Sequence, residues 1–170
     1  VLESHGLFTW DDDAEACYAL TLQIIQKAMD WFEAKTAGLP AFGGALHHSL
    51  APEARRDVAA RLMPTIRGMV SGQQHMVGHF DDSDAVLEFV NAKDMVALAA
   101  LGTSCPDHFL RTKIRPLVVD FDPAANDMET VMAGLPAQIA AYREDYAAYY
   151  ARCKHADSPA LRDPNAVVYL

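Results

Sequence analysis

The chain lacks a long hydrophobic run, a paired-cysteine motif and a secretion signal. None of its apolar stretches approaches the roughly 20 residues of a membrane-spanning helix, so we expect no membrane partner. Its first residues lack the charged and apolar regions of a signal peptide. Cys17, Cys105 and Cys153 are widely spaced and odd in number, which argues against a disulfide framework or a cysteine zinc site. The expected location is a reducing cytoplasm.

Positive charge is also scarce. The 170 residues include 14 Lys and Arg against 23 Asp and Glu, giving a formal net charge of −9. Nucleic acids and anionic membranes require a basic face, so neither is expected as a partner. The 51% hydrophobic content is enough for a core, and the length suits one domain or one domain with a piece of another.

Hydrophobic periodicity predicts a helix-rich α/β fold, in which helices pack on a small sheet of a few short strands. The clearest helix runs from about Asp12 to Lys35, and Gly38 and Pro40 end it. Further helices are predicted from Pro52 toward Met69, after Asp82 or Ser83, over 95–101, and from 126 to about 155. Pro64 and Pro136 are expected to kink or split the helices that contain them. Strand-like runs occupy 75–80, 117–121 and 167–170, and 1–10 is extended.

The last long helix has an apolar and aromatic stripe at helical spacing. We interpret this stripe as packing rather than as a ligand-stacking surface. Its members are Leu135, Ile139, Tyr142, Tyr146, Tyr149 and Cys153.

The densest polar cluster extends from Gly102 to Lys113, between an apolar helical run and a strand-like run. Small residues followed by Pro106 place free backbone N–H groups at a turn or helix start, and such groups bind anions. Arg111 can grip a carboxylate or phosphate through two hydrogen bonds. The predicted anion or substrate site comprises Thr103, Ser104, His108, Arg111 and Lys113.

A purely structural interpretation of the same cluster is equally compatible with the pattern. Thr103 or Ser104 would cap a helix, Pro106 would lie in its first turn, and Asp107 would complement the helix dipole.

The sequence has seven histidines, which could bind a metal, but the spacing of most of them does not favour a metal site. His75 and His79 share a face but lie in a strand-like run, and His47 and His48 are adjacent in a glycine-rich loop. His5 precedes Gly6 at the end of an extended run. One histidine does not make a zinc site, which usually needs three protein ligands.

The chain resembles the bifunctional rhamnulose-1-phosphate aldolase and short-chain dehydrogenase proteins of bacterial rhamnose catabolism, which belong to the class II aldolase and adducin type. The resemblance covers most of the 170 residues. Its most specific part is the polar segment 102–113. The other matching segments are 5–10, with the helix that follows it, 116–121 and 158–165.

The resemblance implies a zinc-dependent retro-aldol cleavage of rhamnulose 1-phosphate to dihydroxyacetone phosphate and lactaldehyde. His5 matches the later of the three zinc-binding histidines of that family, so it is the predicted metal residue. The earlier His-x-His pair and the catalytic acid have no counterpart here, so no catalytic residue is assigned. No glycine-rich dinucleotide fingerprint follows a strand, and NAD is expected only in the dehydrogenase module.

On this basis the expected organisation has four parts. Residues 1–38 form the last strand and helix of the aldolase module, and 39–51 form a loop. Residues 52–156 form a helix-rich α/β domain, and 157–170 link to a dehydrogenase module outside this chain. The chain alone is expected to be inactive. The expected partners are a sugar phosphate or another small anion and further copies of the chain. A non-catalytic anion-binding or interaction domain between two catalytic modules is the alternative.

Overall fold

The computed structural model describes residues 1–3, 5–72, 74–125 and 127–170. Within these ranges six α-helices follow one another, with one 3-10 turn at Ala41–Gly43. None of these helices is both long and apolar enough to cross a membrane. The α-helices are α1 (Ala14–Thr36), α2 (Pro52–Val70), α3 (Asp84–Val90), α4 (Met95–Leu101), α5 (Pro106–Thr112) and α6 (Met128–Cys153).

The predicted packing of helices on a small sheet is wrong, because the described ranges contain isolated β-bridges but no strand and no sheet. The run after Pro116 does pair with the C-terminal run, since Leu117 N donates to Val168 O at 2.9 Å and Leu170 N donates to Leu117 O at 3.0 Å. This contact amounts to one parallel bridge, between Leu117 and Tyr169. Leu117 is buried against side chains of α6. A helix therefore buries the apolar residue at the start of the predicted strand, and no sheet is needed to do so.

Helix α6 is the centre of the described structure. Its buried side chains recur every three or four residues along one face: Met128, Val131, Leu135, Ile139 and Tyr142. Leu135 is 0% exposed. The packing interpretation of the stripe is therefore confirmed for Leu135, Ile139 and Tyr142, whereas Cys153 is exposed. Pro136 lies inside α6 without ending it.

A compact core cluster joins α6 to the C-terminal run. Leu117, Ile139, Tyr142 and Ala166 are buried together, and Met69 of α2 packs against them. The Tyr142 hydroxyl donates to Arg115 O at 2.8 Å. Burial, with a smaller contribution from Tyr146, raises the pKa of Tyr142 to about 12, so the neutral phenol is the form that the fold stabilises.

Helix α1 begins as the sequence predicts. The Asp13 side chain caps it by accepting a hydrogen bond from Ala16 N at 2.8 Å. The helix ends at Thr36, shortly before Gly38, which adopts a φ of 76°. None of its side chains is buried. The 3-10 turn that follows packs on α3 through an edge-to-face contact of Phe42 with Phe89 at 5.1 Å.

Candidate functional site

The polar segment 102–113 begins at a sharp reversal of the chain. Gly102 ends α4 with φ 82° and ψ −155°, a combination that is essentially restricted to glycine. The neighbouring Thr103 N donates to Ile114 O at 3.1 Å, which closes the segment into a loop around α5. A side chain on Gly102 would place its Cβ 2.3 Å from Ile114 O. The glycine is therefore required by a close backbone approach within the protein itself.

Thr103 and Ser104 of the predicted site lie just before α5, next to a depression in the surface. Pro106 lies in the first turn of α5, as the structural interpretation predicts, but the N-cap residue is Cys105 and its side chain makes no capping bond. Thr103, Ser104, Cys105, Pro106 and Phe109 line a shallow depression of about 300 Å³.

Two further predicted residues lie on α5 itself. Ser104 Oγ is 3.4 Å from His108 Nδ1, at the long end of hydrogen bonding, and both residues are exposed. Arg111 is exposed in the last turn of α5. The structure thus brings Thr103, Ser104 and His108 to the same end of this short helix, with Arg111 at the other end.

Lys113 has different surroundings. Its side chain is 14% exposed, and its ammonium donates to Asp163 O at 2.6 Å and to Asn165 O. It also lies 3.8 Å from the Asp163 carboxylate and 4.7 Å from the centre of the Tyr146 ring. Burial lowers the pKa of Lys113, and the Asp163 charge partly opposes that effect. The ammonium is therefore directed at the chain's own C-terminal segment.

A second cation fixes the same segment to the helices. Arg143 Nε donates to Asn165 Oδ1 at 2.7 Å, and Arg143 Nη2 donates to Met69 O at 2.8 Å. We call Lys113, Arg143, Asp163 and Asn165 the C-terminal clamp. Arg143, Asp163 and Asn165 are residues that sequence reasoning missed. The one local signal was the Asp163-Pro164-Asn165 turn, in which Asn165 N donates to Asp163 Oδ1 at 2.9 Å.

His5 is exposed in a turn closed between Leu2 and Gly6, and its Nδ1 lies 3.4 Å from Glu3 O. Across the described ranges, no group of three or more His, Cys, Asp or Glu side chains is placed to bind a metal ion. The residues that the structure describes therefore do not form a complete zinc site. His5 remains a predicted ligand whose partners would have to come from outside the chain.

A wider depression of about 900 Å³ lies between the loop before α2 and helix α3, and His47 and His48 are on its wall. Arg55 also lines it, but this side chain is engaged by Asp82 at 3.0 Å and by Leu50 O at 2.7 Å. Within the described part of the chain, His47 and His48 of this depression do not belong to any group of side chains placed to bind a metal ion.

Comparison with known proteins identifies the family. A family model described as the second domain of class II aldolases matches residues 57–170. This chain belongs to that family. The class II aldolase match includes most of α2, the polar segment and the complete C-terminal clamp, whereas His5 and α1 precede it.

A relative from Bacillus subtilis (strain 168), described as the uncharacterized oxidoreductase YuxG, is 36% identical over 152 residues. The alignment covers 89% of this chain and 22% of the relative, so the chain spans about a fifth of the relative's length. No solved structure is significantly similar to the chain.

Proposed function

We propose that this chain is part of a longer parent protein, a zinc-dependent class II aldolase that cleaves rhamnulose 1-phosphate to dihydroxyacetone phosphate and lactaldehyde. The observation behind the proposal is the class II aldolase family match over 57–170. The substrate is inferred from the resemblance of segments 5–10, 102–113, 116–121 and 158–165 to the rhamnose-catabolic proteins. In the cleavage, the bond between C3 and C4 breaks, the C4 hydroxyl loses its proton, and C3 gains one.

We also propose that the parent protein has a short-chain dehydrogenase module, and that this module uses NAD. The parent protein is further proposed to function in the cytoplasm and to assemble from several copies. The relative described as an oxidoreductase supports the first part, because it is much longer than this chain and resembles it over 152 residues. Zinc would supply Lewis-acid chemistry at the aldolase centre. Within this chain only His5 is proposed as a ligand.

Incubation of the parent protein with rhamnulose 1-phosphate should release dihydroxyacetone phosphate and lactaldehyde in equal amounts. A coupled assay for the triose phosphate measures the rate. The 170-residue chain alone should show no cleavage, because its described residues do not form a complete zinc site. A parent protein that cleaves another sugar phosphate but not this one would contradict the proposed substrate.

A second function, in joining modules, is favoured by the C-terminal clamp. Lys113 and Arg143 both donate to the segment 163–165, which places that segment against α2 and α6. Segment 157–170, fixed to the helices in this way, would then hold a neighbouring module in a fixed orientation relative to them. In this proposal the small anion, a sugar phosphate, contacts the half-buried Thr103 and the exposed Ser104, His108 and Arg111, while Lys113 has the structural role.

Two substitutions separate these roles. Arg111→Ala should weaken the binding of inorganic phosphate at least fivefold, with little change in stability, because Arg111 is exposed. Lys113→Met should leave phosphate binding unchanged but lower the free energy of unfolding by about 1–3 kcal/mol, because two carbonyl acceptors lose a charged donor. Calorimetric titration and urea unfolding measure the two effects.

The control for the first substitution is Arg152→Ala, which removes an exposed arginine from the last turn of α6. Phosphate binding that is the same in wild type, Arg111→Ala and Arg152→Ala would count against the anion site. Unchanged stability of Lys113→Met would count against the clamp.

A further inference from the structure

Lys113 has a backbone conformation that is unfavourable for a lysine. It is the C-cap of α5, with φ 63° and ψ −172°, in a region that is essentially restricted to glycine. Gly102, at the other end of the same polar segment, has a similar conformation without a side chain. Strain of this kind persists only where the surrounding contacts impose it, so the contacts of Lys113 must hold it in place.

Two attachments to the C-terminal segment hold this conformation. The Lys113 ammonium donates to Asp163 O and to Asn165 O. Four residues later, the backbone N and O of Leu117 pair with the run 168–170. Burial of the ammonium adds a second cost, since it lowers the pKa of Lys113. When the segment is attached, one residue therefore carries both a backbone strain and a desolvation cost.

Detachment of the C-terminal segment would relieve both costs at Lys113. The ammonium would be hydrated again, and the backbone would be free to rotate into an ordinary region. Arg115 O accepts a hydrogen bond from Tyr142 of α6, so this relaxation is confined to the two residues before Arg115. The opposing cost is the exposure of Leu117 and Ala166, which are buried together in the core cluster. Ala166 is the one buried residue of 157–170, all of which the structure describes.

We propose that segment 157–170 is a releasable connection, which detaches from the helices as a unit while α2 and α6 stay folded. A neighbouring module would be held in one orientation while the C-terminal clamp is formed, and would reorient when the clamp separates. Regions with few buried apolar contacts open at a lower free energy than the whole domain, and moving elements are drawn from them. This inference rests on the proposed role of 157–170 in joining modules, but detachment itself is a property of the 170-residue chain.

Native-state hydrogen exchange of the 170-residue chain, resolved by NMR, tests the detachment. The amides of Leu117, Val119 and Leu170 donate the hydrogen bonds between the two runs, whereas those of Ile139 and Tyr142 lie in the middle of α6. The first three should have protection factors about tenfold or more below those of the α6 pair, because detachment frees them without unfolding the helix. Equal protection of the two sets would overturn the proposal. A parent protein without a module after 157–170 would refute the joining role and leave the detachment intact.

Substitutions at Lys113 separate the strain from the hydrogen bonds of the ammonium. Lys113→Met and Lys113→Gly both remove these bonds, but only glycine also removes the strain. Lys113→Met should lower the protection of the Leu117, Val119 and Leu170 amides about tenfold. Lys113→Gly should leave them on the order of threefold better protected than Lys113→Met does.

Lys154 provides the matched control, because it is exposed just after α6 and has an ordinary φ of −68°. Glycine has no strain to relieve there, so Lys154→Gly should protect the same three amides no better than Lys154→Met. Equal protection in Lys113→Met and Lys113→Gly would overturn the inference that the attached segment holds Lys113 under strain.

Discussion

Replacing Gly102 with alanine should lower the free energy of unfolding by on the order of 3 kcal/mol, a large part of the usual stability of a domain. Gly102 has φ 82° and ψ −155°, a region that costs other residues about 1–3 kcal/mol. The added Cβ would also lie 2.3 Å from Ile114 O, which is backbone and has little freedom to move. Urea unfolding followed by circular dichroism measures the loss.

Gly68→Ala is the matched control for this substitution. Gly68 lies inside α2, is exposed, and an added Cβ would meet nothing within 4 Å. Alanine should therefore leave stability unchanged or raise it by up to about 1 kcal/mol, because it favours the helix more than glycine does. Equal unfolding midpoints for Gly102→Ala and Gly68→Ala would show that the reversal at Gly102 does not determine the geometry of the polar segment.

The helices were predictable because their signals are local. The acidic start of α1 is confirmed by the Asp13 cap, and Gly38 follows its last turn. The spacing of Leu135, Ile139 and Tyr142 correctly predicts the buried face of α6. In both helices the deciding interactions join residues within about one turn of each other.

The sheet was predicted wrongly because a short apolar run does not specify what buries it. The run from Leu117 to Phe121 has the composition of a buried strand, yet its backbone meets a single short neighbour at 168–170. Its one buried residue, Leu117, is buried together with Ile139 and Tyr142 of α6 and with Ala166, instead of by a second layer of strands. Periodicity alone does not distinguish these two environments.

The polar segment shows a similar limit for the candidate site. Sequence proximity grouped Lys113 with Ser104 and Arg111. In the fold, the partners of Lys113 are Asp163 and Asn165, about 50 residues further along the chain. No local pattern predicts such a pairing. The anion-binding prediction still applies to the exposed side chains of His108 and Arg111 on α5, whereas Lys113 is better explained as a structural cation.

The second large effect is expected at His5, in the parent protein. A catalytic zinc ion is usually bound by three protein ligands, so loss of one should remove most of the metal. After dialysis, His5→Ala should retain at least tenfold less zinc than the wild-type parent protein. His155→Ala is the matched control, because His155 is exposed just after α6 and is not a proposed ligand.

The zinc content of the parent protein, measured by elemental analysis, tests most directly whether this chain completes a class II aldolase centre. We predict about one zinc ion per polypeptide in the parent protein, most of it lost in His5→Ala and retained in His155→Ala. The 170-residue chain alone should retain none. A parent protein without zinc, or zinc retained equally by wild type and His5→Ala, would contradict the account.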